Sequence, residues 1–168
     1  MNNLEQKTKH TLELLPKIAR NLQIAPLIDK VKPGLTTSQL MVLLILKDMK
    51  NVAMPIGKLA QELAVSFPSI SGIIDRLHRD KLIERSRSRQ DRRLVLVKLT
   101  DTGKELVEKL LKDFEKLLFN VLENISEAEQ ETIIKAIQRV FEFSIALSKN
   151  AYNKNSCLSG TVKNQKNE

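Results

Sequence analysis

Apolar residues recur at helical spacing along most of this chain, and the rhythm changes only once. Between residues 4 and 30, Leu4, Leu12, Leu15, Ile18 and Leu22 make a sparse apolar face, with Pro16 and Pro26 placed to bend or break the helix. The turn signal "VKPGL" follows at 31–35. Thr36 with Gln39 three residues on forms a capping-box pattern that opens a mostly apolar, hence buried, helix, "TSQLMVLLILKDM". After the breaker "KNVAMP", Ile56, Leu59, Ala60 and Leu63 predict a short helix. Ser66 is a good N-cap and Pro68 sits in a first turn, where a missing N–H is harmless. Ile70, Ile73, Ile74 and Leu77 then line one face of the next helix.

The change comes at "ERSRSRQDRRLVLVKLT", residues 84–100, where an arginine-rich half meets an apolar run. Two strands are predicted there, Leu82 to Arg87 and Leu94 to Leu99, with the arginines in the hairpin loop between them. Thr100 caps a long helix to about Asn124, and Ser126 with Glu129 makes a second capping box before a last helix. From Asn150 the sequence turns polar and aperiodic, which predicts a disordered tail over 150–168. The expected fold is mainly α with a small β-hairpin wing. It is a winged helix-turn-helix domain over 36–100, with a recognition helix at about 66–80 and a wing at about 83–99. An N-terminal helix (1–35) and C-terminal helices (101–149) flank it.

Charge sharpens this picture. The net charge of the whole chain is +8. Between Ile56 and Thr100, ten basic residues (Lys58, Arg76, Arg79, Lys81, Arg85, Arg87, Arg89, Arg92, Arg93, Lys98) face five acids (Glu62, Asp75, Asp80, Glu84, Asp91). A basic concentration on a helix-turn-helix points to a polyanion, and duplex DNA fits best. On a helical wheel, Pro68, Gly72, Asp75, Arg76 and Arg79 oppose the isoleucine face, with Ser69 and Ser71 on its flanks. Small residues early in that helix suit contact with base edges in the major groove, while Arg76 and Arg79 suit phosphates. The amides beside Ser66 offer a further anion site. Arginines at a projecting hairpin tip can enter a neighbouring minor groove. Asp91 is expected to pair with one of them and hold it extended.

Those residues together make the chain similar to the MarR family of bacterial winged helix-turn-helix regulators. The similarity rests on "LTTSQLMVLLIL" (35–46), "IGKLAQELAVSFPSISGIIDRL" (56–77) and "LIERSRSRQDRRLVLVKLTDTGKEL" (82–106), and it spans roughly residues 5–150. Its most specific part is "DRR" (91–93) followed by "LTDTG" (99–103). The resemblance implies an α-helical homodimer with two winged lobes on a palindromic operator, in which residues 1–35 and 101–149 are assigned to dimerisation; a cytoplasmic setting is expected from the single cysteine. It also implies a wing whose Asp91 and Arg93 form a paired element, and repression relieved by a small anionic or phenolic effector or by cysteine oxidation. The DNA-binding set so assigned is Ser66, Pro68, Ser69, Ser71, Gly72, Arg76, Arg79, Arg87, Arg89, Asp91, Arg92 and Arg93. Three positions depart from the family pattern: Lys81 stands where glycine is common, Pro55 where a Ser or Thr cap is expected, and no cysteine lies in the first helix.

Val107, Phe114 and Val121 repeat every seven residues, a spacing that suits helix packing either within the chain or between copies; the resemblance favours a dimer. The remaining chemistry is thin. One cysteine, Cys157, and two histidines, His10 and His78, cannot build a disulfide framework or a zinc site, so no cofactor or metal is expected. Neither a phosphate-cradling glycine loop nor a nucleophile–histidine pair is visible, so no enzyme is expected. No apolar run is long enough to span a membrane. The competing expectation is a winged-helix module that binds protein or RNA without reading an operator.

Overall fold

In the computed structural model, residues 3–50 and 52–160 are described in backbone, and side chains as far as Ile145; Cys157 lies outside the described side chains. The chain divides into two units, residues 1–117 and 118–168. In the first, the N-terminal pattern folds as two helices, α1 (Asn3–Asn21) and α2 (Ile24–Val31). The break falls at neither proline. Pro16 lies inside α1, and Pro26 occupies the first turn of α2, where no backbone donor is needed. The chain turns instead at Gln23, whose φ of 51° is left-handed. No residue of α1 is buried, whereas Leu27, Ile28 and Val31 of α2 pack against the core of the lobe. Part of the segment assigned to dimerisation therefore belongs to the winged lobe.

Helix α3 (Thr37–Asp48) opens with both halves of the Thr36/Gln39 capping box and buries Leu40, Val42, Leu43 and Leu46. Met54 and Pro55, part of the expected breaker, form a short strand, β1, paired antiparallel with the wing. Proline is tolerated there because β1 is an edge strand. Helix α4 (Ile56–Glu62) follows at once, with Pro55 at its N-cap and no side-chain cap. After the turn at Ala64 comes α5 (Phe67–Arg79), then β2 (Ile83–Arg87) and β3 (Val95–Leu99). The sheet order is β1-β3-β2, with Ile83 opposite Leu99 and Arg87 opposite Val95. Across the hairpin Glu84 faces Lys98 at 2.7 Å, and that hydrogen bond, reinforced by charge, holds the Lys98 ammonium above the usual lysine range.

Helix α6 (Asp101–Leu122) follows β3 directly. Val107 and Leu110 are fully buried in the same core as Ile70, Ile74, Leu77 and Val97, and Leu111 and Phe114 pack on its edge. The heptad spacing of Val107, Phe114 and Val121 therefore splits: its first member closes the lobe's own core, and Val121 is exposed. The second unit holds the end of α6 and helix α7 (Glu127–Gly160), whose start carries the Ser126/Glu129 capping pair. The Gln130 side chain also donates to the carbonyls of Leu122 and Ile125. Residues 150–160 continue α7 instead of beginning an irregular tail, and no proline or glycine interrupts α7 before Gly160. Residues 161–168 lie outside the described residues.

Candidate nucleic-acid interface

The site is built on α5. Ser66, in extended backbone, caps it: its Oγ accepts from the Ser69 amide and lies 2.9 Å from the Ser69 hydroxyl. The isoleucine face is sealed, with Ile70, Ile74 and Leu77 fully buried. The opposite side is open. Pro68, Ser69, Gly72, Asp75, Arg76 and Arg79 are all exposed, and Ser71 is half-buried. Gly72 has nothing within 4 Å of where a Cβ would stand, so it packs against no part of this chain and bares backbone on the outer face.

The C-terminal end of α5 is fixed by unusual backbone. Lys81, where glycine would be easier, has a φ of 58°. The Leu82 amide reaches back to Leu77 O at 3.0 Å. The Lys81 carbonyl accepts from the Thr100 hydroxyl at 2.7 Å, and that hydroxyl also accepts from the Gly103 amide at 3.0 Å, capping α6. Gly103 is required here, since a Cβ would stand 2.0 Å from Leu82 O. Asp80, the C-cap of α5, is paired with Lys32 at 3.1 Å, which ties α2 to the helix end.

The five wing arginines divide by partner. Arg85, on β2, is ion-paired with Asp75 of α5 and holds helix and wing in register. Arg87 donates to the Arg92 carbonyl at 3.4 Å. Arg89, Arg92 and Arg93 are exposed, and their guanidiniums make no bond or ion pair among the described residues. Asp91 does not pair with an arginine side chain as expected. Its Oδ1 accepts from the Arg93 backbone amide at 3.0 Å, and its carbonyl accepts from the Leu94 amide at 3.0 Å. A carboxylate two residues before an amide closes an Asx-turn, so Asp91 shapes the tip rather than extending a side chain. Ser88 completes the tip, its Oγ accepting from the amides of Gln90 and Asp91.

α5 and the hairpin tip thus form one scaffold carrying six exposed DNA-site candidates on the helix (Ser66, Pro68, Ser69, Gly72, Arg76, Arg79) and five on the wing (Arg87, Arg89, Asp91, Arg92, Arg93). Two residues of this scaffold were outside the sequence-based set. Arg85 locks the geometry, and pairing across ten residues has no local signature. Phe67 is 59% exposed at the first position of α5. Its spacing of seven from Ile74 files it with the core, but at the helix end it overshoots the core.

Residues 35–95 match the MarR family. Over that segment the chain is similar to the MarR family. The transcriptional repressor YetL of Bacillus subtilis is 29% identical over 109 residues, 65% of this chain and 65% of YetL, so this chain spans just under two thirds of that relative. The fold is shared with a MarR family protein from Bacillus stearothermophilus (24% identity, TM-score 0.71, covering 86% of this chain and 99% of the other). It is shared too with Streptococcus pneumoniae FabT in complex with DNA (20% identity, TM-score 0.70, covering 83% and 99%). Among the described residues no cluster of His, Cys, Asp and Glu could hold a metal ion, and no helix is long and apolar enough to cross a membrane.

Proposed function

We propose that this chain is a MarR-family transcriptional regulator, a cytoplasmic repressor that binds a palindromic duplex operator as a homodimer and releases it when a small effector binds. The observation that carries the reading is the pairing of α5's open face with three unpartnered guanidiniums at the wing tip. A helix of this kind fits the major groove, and the tip arginines suit the adjacent minor groove. FabT, the structural neighbour solved with DNA, and YetL, a repressor, support the same direction. The dimer is supported by apolar side chains that are exposed among the described residues: Leu4, Leu12, Leu15 and Ile18 on α1, and Ile137, Val140 and Phe141 on α7.

Selection of bound fragments from a random duplex pool tests this reading. The expected product is an inverted repeat whose half-sites lie about 34 Å apart, one helical turn. Affinity should fall steeply with added salt as phosphate counterions are displaced. A pool that yields no preferred duplex, or tighter binding to structured RNA, overturns it.

A further inference from the structure

The first turn of α5 presents an apolar surface where a groove-reading helix would be expected to offer hydrogen bonds. Phe67 is its first residue, 59% exposed, and it is not one of the buried residues of the lobe's core. Pro68 beside it has no amide to donate. The hydroxyls of Ser66 and Ser69 are engaged with each other at 2.9 Å. Gly72, one turn on, has no side chain and open space around it. Phe67 stands at the helix end, seven residues before Ile74 and so on the isoleucine side, while the charged groups of the open face begin at Asp75, paired with Arg85, and at Arg76.

Helices that enter the major groove read bases with their N-terminal residues. The one apolar feature displayed there by any base pair is the 5-methyl group of thymine, and phenylalanine is among the side chains that contact it. We infer that Phe67 is a specificity-determining residue that reads a thymine methyl in each half-site, so that the operator carries a required T at the position facing the start of α5. This rests on the operator reading given above. A phenyl ring left 59% exposed is dried only by an apolar partner, and the thymine methyl supplies one without a donor or acceptor to satisfy.

The duplex recovered from the random pool is resynthesised with each thymine replaced in turn by deoxyuridine, which removes the methyl and keeps the base pairing. Wild-type protein should lose about fourfold in affinity at one position per half-site, the value of one buried methyl. Phe67→Ala should bind the T and U duplexes equally at that position, with Phe67→Leu intermediate, while affinity for random duplex and the salt dependence stay as in wild type. Circular dichroism of both variants should match wild type, since the ring is outside the core. The inference is overturned if wild type shows no T-over-U preference at any position, or if Phe67→Ala keeps that preference. Those outcomes leave operator binding intact; failure to recover any preferred duplex removes both readings together.

Discussion

Replacing Gly103 with alanine separates two opposite expectations. Glycine inside a helix is destabilising relative to alanine, so helix propensity alone predicts a gain of about 1 kcal/mol. The structure predicts a loss. The new Cβ would stand 2.0 Å from the Leu82 carbonyl oxygen and 3.0 Å from its carbon, both backbone atoms that cannot swing aside. Non-bonded atoms pack best at about 3.5–4.0 Å, so the first turn of α6 must retreat by roughly 1.5 Å. That movement pulls on two hydrogen bonds, Thr100 amide to Leu82 O at 3.1 Å and Thr100 hydroxyl to Lys81 O at 2.7 Å. Losing both costs about 2 kcal/mol, and residual overpacking about 1–3 kcal/mol. Against the propensity gain, the net loss is about 3 kcal/mol, or roughly 6–12 °C in Tm for a chain of this size. Urea or thermal denaturation at fixed protein concentration measures it, the concentration being held because association shifts the midpoint. A Tm equal to wild type, or higher, would show that this close approach is not what glycine is there for.

Three further outcomes follow from the same geometry. Lys81→Gly relieves a left-handed backbone and should raise stability by about 0.5–1 kcal/mol, read as a higher urea midpoint with an unchanged slope; a lower midpoint counts against it. Arg93→Ala removes a guanidinium with no internal partner, so operator affinity should fall more than about tenfold and the salt slope by about one, with Tm unmoved. Glu129 accepts from the Ser126 hydroxyl and amide, which hold its carboxyl below the usual range. Its cap therefore supports α7 above the ordinary carboxylate value and is lost as pH falls through the lowered one. A carboxyl NMR titration should show this, with Ser126→Ala moving Glu129 back up; an unmoved Glu129 titration in that variant would remove the cap as the cause.

The periodic parts were legible in advance. The isoleucine stripe marked α5 to within a residue at either end, and the two capping boxes are in place. Less was legible where distance along the chain is long or an element is short. β1 is two residues and has no alternation to read. The α1–α2 break follows from a left-handed Gln23, not from either proline. Val107 shares a seven-residue rhythm with Val121, yet one is core and the other exposed, because periodicity assigns a face and not what covers it. In the site, charge at the tip could be counted from sequence. That Asp91 spends its carboxylate on a backbone amide, and that Arg85 is bound to Asp75, depend on side-chain geometry that no local pattern encodes.

One hydroxyl has a mechanical consequence. Thr100 receives the Gly103 amide and gives its proton to the Lys81 carbonyl, so a single oxygen pins the foot of α6 to the heel of α5. The two helix ends therefore meet at one joint, and the placement of α5 in the lobe is set partly by the start of α6.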